Sequence, residues 1–176
     1  LNTLYRLNLS PLECTRIAHR IEVQHRSGLG DVSACQGGGF VIRKTPGPDG
    51  DIIREMDIRP IFALTISPIK TSSVLSSPEM MNRISQSFPD RIPKTLDDIM
   101  SLSREFAEKS GLISDEIRSV LTACDTENIP ASMTMLGCGV FAIGKRAEPV
   151  LKKFGDVYRL TISQGGPAIL FGERCV

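Results

Sequence analysis

Residues 27–39, Ser-Gly-Leu-Gly-Asp-Val-Ser-Ala-Cys-Gln-Gly-Gly-Gly, constrain the fold of this chain more than any other stretch. One acid, Asp31, stands between a glycine-rich approach and a triple glycine, Gly37–Gly39, that runs into the apolar Phe40-Val41-Ile42. Glycine at this density permits positive φ and close approach of a ligand to the backbone, which an ordinary loop does not need. A lone carboxylate in that setting suits proton abstraction or metal binding. A structural alternative uses the same residues: Gly28 and Gly30 end a helix, and Asp31 opens a turn.

The flanking sequence supplies the scaffold. Ser10-Pro11 reads as an N-cap followed by proline at the first helical position. Through Leu12–Arg26, Ile17, Ala18, Ile21 and His25 recur at helical spacing among Glu13, Arg16, Arg20 and Glu22. The helix is expected to stop at Ser27-Gly28. Phe40–Ile42 reads as a strand, Pro46–Gly50 as a turn, and Ile52–Ile58 as the returning arm of a hairpin. Ile61–Ile66, bounded by Pro60 and Pro68, is the clearest buried strand. Helices are expected over Pro78–Phe88, Thr95–Ser110, Ser114–Cys124 and Glu148–Phe154. Further strands are expected over Val140–Ile143, Asp156–Ile162 and Ala168–Phe171. This is an α+β layer pattern, and Pro60 is the best domain boundary, giving 1–59 and 60–176.

Composition removes several function classes. With 21 basic and 20 acidic residues the net charge is +1, which gives no overall attraction to nucleic acid or membrane. No apolar run approaches the roughly 20 residues needed to span a bilayer, and the chain does not open on a signal peptide. It opens on Leu1 and goes straight into helix-like residues, as expected of a chain with an N-terminal part missing or of a processed terminus. Five scattered cysteines without CxxC spacing indicate reduced thiols of a cytoplasmic protein and no zinc site. His19 and His25 are the only histidines, so neither a His-based metal cluster nor a Ser-His-Asp set has support. Met80, Met81, Met100, Met133 and Met135 read as core fillers, and Arg104-Glu105 with Glu108-Lys109 as a solvated helix face.

Two other segments carry candidate chemistry. Ser132–Gly139 places glycines directly before an apolar strand. Its amides fit an anion nest, with Thr134 or Ser132 as hydroxyl donors, or a plain turn entering the strand. It is not a GxxxxGK[ST] phosphate loop. Pro68–Ser73 puts Lys70 and the hydroxyls of Thr71, Ser72 and Ser73 after the buried strand, to contact an anionic or polyol substrate or to cap a helix.

The order helix, Ser27-Gly28-Leu29-Gly30-Asp31, six-residue gap, glycines and strand resembles the GHMP kinase superfamily, whose Ser-Gly-x-Asp pattern carries the catalytic aspartate. Gly30 is an extra residue against that pattern. With Met135-Leu136-Gly137-Cys138-Gly139-Val140-Phe141-Ala142, Ile42–Pro48 and Ser67–Thr71, it makes the chain similar to the archaeal pantoate kinase branch. The resemblance implies that residues 1–59 end a GHMP kinase N-terminal domain and that 60–176 form its ferredoxin-like C-terminal domain. It further implies ATP-dependent, magnesium-assisted phosphorylation of the primary hydroxyl of pantoate in coenzyme A biosynthesis. Asp31 would take or hold the hydroxyl proton, and Glu22 falls near the family's magnesium-binding glutamate. Ser27, Gly28, Gly30, Lys70, Thr71, Thr134, Gly137 and Gly139 would contact substrate and phosphates.

In that superfamily ATP sits on an earlier loop of the Pro-x-x-x-Gly-Leu-x-Ser-Ser type, which this sequence does not contain. The expectation is therefore a C-terminal portion that is inactive alone. Two alternatives stay open: a non-catalytic binding or regulatory module of the same fold, and a kinase for another hydroxyl substrate such as mevalonate or homoserine. The expected partners are pantoate and ATP, with no nucleic acid or membrane. A homodimer is expected from strands near Phe40 and Ile52 that lack sheet partners.

Overall fold

Ser10 sets where the first helix begins. The computed structural model describes residues 1–27, 31–45, 47–66, 74–135 and 138–168. Helix α1 spans Pro11–His25, with a complete capping box. The Ser10 hydroxyl accepts from the Glu13 N–H at 3.3 Å, and the Glu13 carboxylate accepts from the Ser10 N–H at 2.8 Å. The Ser10 hydroxyl also donates to the Glu13 carboxylate at 2.7 Å, and this bond first, then the one from the Ser10 N–H, holds the Glu13 carboxyl below the usual carboxylate range. Ser10→Ala is expected to cost about 1 kcal/mol, read as a lowered thermal midpoint. An unchanged midpoint would mean that α1 does not depend on its cap. At the other end Arg26, with φ +51, turns left-handed and its N–H reaches the carbonyls of Glu22 and Val23. A non-glycine residue thus closes the helix one position before the expected end.

The apolar stripe expected along α1 is present but uncovered. Thr15 is the one buried residue of α1, while Leu12, Ile17, Ile21 and Val23 are exposed. Periodicity specifies the stripe, but not whether a partner covers it.

A short helix, α2 (Asp31–Cys35), packs against α1 and against strand β1 (Phe40–Arg43). β1 pairs antiparallel with β2 (Ile52–Glu55), Phe40 facing Glu55 and Arg43 facing Ile52. The hairpin matches the turn signal, with Gly47 at φ +95. Its second arm stops short of Ile58. The Asp57 carboxylate accepts from the Arg59 N–H at 2.7 Å, folding the backbone out of the ladder.

A second sheet is built from β3 (Ile61–Thr65), β4 (Ala131–Thr134), β5 (Gly139–Ile143) and β6 (Val157–Leu160). Its order is β4-β5-β3-β6, and every neighbouring pair is antiparallel. Helices α3 (Pro78–Gln86), α4 (Leu96–Ser110) and α5 (Asp115–Thr126) lie between β3 and β4 in sequence, and α6 (Ala147–Leu151) lies between β5 and β6. This strand order is that of a split βαβ, ferredoxin-like sheet with an enlarged first crossover. Residues 132–134, expected as part of a glycine loop, instead belong with Ala131 to the edge strand of a hairpin with β5, Met133 facing Val140. The strand expected at 156–162 is trimmed to Val157–Leu160. The strand expected at 168–171 lies outside the described residues beyond Ala168.

One face of this sheet buries Phe62, Leu64, Met133, Val140 and Ala142 with Ile117, Val120 and Leu121 of α5 and Leu151 of α6. A smaller cluster joins Leu96 and Met100 of α4 to Ile143, with Ile61, Phe141 and Phe40 of the first sheet packed against it. Met100 and Met133 are core residues, and Met80 and Met135 pack at its margin. Arg104 does more than line a wet helix face: it pairs with Glu108 at 3.0 Å and with Asp125 at 2.9 Å, tying α4 to α5. Cys14, Cys35, Cys124 and Cys138 are free thiols, and burial pushes the Cys124 thiol up to about 11.

Candidate functional site

Asp31 is the first residue of α2, where a carboxylate complements the helix dipole, and its side chain is exposed. It therefore opens a helix and not a turn. Ser33, two residues further, is 1% exposed and its hydroxyl has no hydrogen-bond partner among the described residues.

The triple glycine is explained by what lies against it. The Arg54 guanidinium, from β2, donates through Nη1 to the carbonyls of Gly37 and Gly38, each at 2.9 Å. Its Nη2 donates to the Ser33 carbonyl at 3.1 Å. A Cβ on Gly37 would stand 3.1 Å from Arg54 Cζ. On Gly38 it would stand 2.2 Å from the Ser163 carbonyl oxygen, because the segment after β6 crosses back over this turn. That crossing is fixed by the Gly39 N–H donating to the Ser163 carbonyl at 2.9 Å, with Gly39 at φ +88. The close approach that the glycines permit is by an arginine and a crossing backbone of the same chain. Arg54 carries no local sequence signal, since only the hairpin register places it beside these carbonyls.

Glu22 lies in the last turns of α1, the helix packed against α2, and its Oε2 is buried without a hydrogen-bond partner among the described residues. A desolvated carboxylate oxygen without a donor fits a cation ligand. Among the described residues no group of three or more His, Cys, Asp and Glu side chains converges. Ser27 is exposed, and its N–H donates to the Glu22 carbonyl at 3.1 Å as part of the helix end.

Thr134 and Gly139 meet across the β4–β5 hairpin, the Gly139 N–H donating to Thr134 Oγ1 at 3.2 Å. A Cβ on Gly139 would stand 2.6 Å from the Leu64 carbonyl oxygen, so close strand approach accounts for this glycine. Ser132 is fully buried and hydrogen-bonded to the Ser103 hydroxyl at 2.9 Å, which places it in the core. Gly28, Gly30, Lys70, Thr71 and Gly137 lie outside the described residues.

An open groove of about 1150 Å³ lies between Met56–Arg59 and Thr161–Gln164, beside the Gly39–Ser163 crossing. Arg59 pairs there with Asp57 and with Asp97, each at 2.9 Å. Its hydrogen bonds hold the Asp57 carboxyl below the usual range. No helix among the described residues is long and apolar enough to cross a membrane.

No family model matches the chain. Its curated relatives are consistent with one another. It is 82% identical over 174 residues to the pantoate kinase of Methanospirillum hungatei, covering 99% of this chain and 60% of that protein. It is 31% identical to the pantoate kinase of Thermococcus kodakarensis and 33% identical to that of Methanocaldococcus jannaschii. The chain spans 48% and 55% of those two proteins. Among solved structures, a phosphotransferase related to the coenzyme A biosynthesis pathway superimposes with a TM-score of 0.77 at 24% identity, over 93% of this chain and 59% of its own. A Listeria monocytogenes protein described as a homoserine kinase superimposes with a TM-score of 0.53 at 19% identity, over 94% of this chain and 62% of its own. The chain is thus similar to pantoate kinases over 78–99% of its length, spans roughly half to three fifths of theirs, and shares the α+β fold of these two solved structures.

Proposed function

We propose that this chain is the acceptor-side portion of an ATP-dependent kinase that phosphorylates the primary hydroxyl of pantoate on the route to coenzyme A. The 82% identity to a pantoate kinase, over 99% of the chain, carries this reading. In the reaction the pantoate oxygen forms a bond to the γ-phosphorus, the bond to the β-phosphate oxygen breaks, and ADP leaves. Asp31, exposed at the start of α2, takes the hydroxyl proton. Glu22, with its unpartnered buried oxygen, would hold magnesium, which neutralises charge on the transferring phosphate. Ser27, Gly28 and Gly30 are assigned to contacts with the substrate and its phosphates. Lys70, Thr71, Thr134, Gly137 and Gly139 serve the anionic groups of substrate and nucleotide. The two sheets support a division at Pro60 into 1–59 and 60–176.

The sequence contains no Pro-x-x-x-Gly-Leu-x-Ser-Ser loop, and its relatives are longer than the region it spans. We assign the ATP phosphate cradle to the part of the kinase outside that region, which would also cover the exposed apolar stripe of α1. The chain alone is then expected to give no micromolar ATP binding by calorimetry, and micromolar binding would refute this division of labour. The second reading is a non-catalytic binding or regulatory module of the same fold.

A chimera separates the two: the Methanospirillum relative with its matched 174 residues replaced by this chain. Coupled ADP release from the chimera should be fastest with pantoate, ahead of mevalonate and homoserine. A folded chimera without turnover would support the module, and a preference for another alcohol would displace pantoate. The partners are accordingly pantoate and ATP in the cytoplasm. The net charge of +1 gives no pull toward nucleic acid or membrane. A homodimer through the open edges of the β1–β2 sheet completes the reading.

A further inference from the structure

The least self-sufficient element of the site is the helix that carries Asp31. At five residues α2 is far below the length at which a helix persists on its own, so its direction is set by what grips it. Its far end exposes carbonyls that no later helical N–H can satisfy. One of these, on Ser33, is taken by Arg54 Nη2 at 3.1 Å, and the same guanidinium takes the Gly37 and Gly38 carbonyls at 2.9 Å each. The planar fork of arginine suits three oxygens at once, where an ammonium would serve them only as a point charge. Among the described residues Arg54 has no carboxylate partner, and the hydrogen bonds of its Nη1 and Nη2 go entirely to neutral backbone carbonyls. The anchor is itself anchored, since the turn it grips is held by the Gly39–Ser163 hydrogen bond. Gly37 leaves room for the guanidinium, because a Cβ there would meet Arg54 Cζ at 3.1 Å.

We propose that Arg54 is a positioning residue for Asp31, orienting α2 so that the carboxylate stands in line for the acceptor hydroxyl. The proposal rests on reading Asp31 as the proton acceptor. It places a determinant of turnover on β2, outside the glycine segment itself.

The test is a double-mutant cycle in the chimeric kinase, read as kcat and KM for pantoate. Arg54→Ala is expected to lower kcat about 10²-fold, the scale of an ångström-level misplacement, with KM for ATP unchanged. In the Asp31→Asn background the same substitution should lower kcat little further, because Arg54 acts through a carboxylate already removed. Millimolar guanidinium should restore part of the Arg54→Ala activity and none of the Asp31→Asn activity. If Arg54→Ala does not fold, Arg54→Lys and Gly37→Ala, which perturb the same fork more mildly, should show the same non-additivity. Additive losses in the cycle, or wild-type kcat in a folded Arg54→Ala, would overturn the proposal. Wild-type turnover by Asp31→Asn would instead overturn the assignment of Asp31, whatever Arg54 does.

Discussion

Asp31→Asn is expected to lower kcat for pantoate about 10²- to 10⁴-fold in the chimeric kinase, the usual contribution of a positioned base. The amide has the shape of the carboxylate but cannot accept the hydroxyl proton at neutral pH. The side chain is exposed, so the substitution leaves no cavity and no stranded polar group. Its structural effect is confined to the lost charge at the start of α2, within about 1 kcal/mol. Turnover should therefore collapse while the thermal midpoint and the KM for ATP hold. Turnover within twofold of the parent would remove Asp31 from the mechanism.

Gly38→Ala carries the largest expected loss of stability. The added Cβ would stand 2.2 Å from the Ser163 carbonyl oxygen and 2.4 Å from the Gln164 carbonyl carbon, both backbone atoms that no rotamer change can move. The segment must withdraw, taking with it the 2.9 Å Gly39–Ser163 hydrogen bond. It would also lose the packing of Gly166 on the Gln36 carbonyl, close enough that a Cβ at 166 would approach it to 2.5 Å. A cost of about 3 kcal/mol, the upper part of the overpacking range, corresponds to a midpoint lowered by about 6–12 °C. Gly47→Ala is the control. Its φ is +95 but nothing lies within 4 Å of an added Cβ, so only left-handed strain of about 1 kcal/mol applies. If Gly38→Ala were no worse than Gly47→Ala, the crossing over the glycine turn would not exist as described.

Features decided by neighbours in sequence were legible in it. Ser10-Pro11 announces α1 because capping is an exchange between residues three apart. Ile61–Thr65 reads as a buried strand because prolines bound its apolar run. The hairpin of β1 and β2 follows from its glycine-proline turn. What was not legible depends on residues distant in sequence. Ser132–Thr134 looks like the start of a glycine loop until Met133 is seen facing Val140 across a turn. The glycines at 37–39 are visibly unusual. Their reason lies in Arg54, some 17 positions away, and in Ser163, far later still. The stripe on α1 is equally plain in the sequence, but its exposure depends on what lies beside it. Of the proposed site, Asp31 stands out by its glycine spacing and Glu22 is named only by the family resemblance, whereas Arg54 needed the hairpin register.

Phosphorus NMR of the chimera's products, with ATP and pantoate, tests the central claim most directly. The account predicts ADP together with a new phosphomonoester signal coupled to the methylene protons of the former primary alcohol. ADP and inorganic phosphate alone, from a folded chimera, would contradict it.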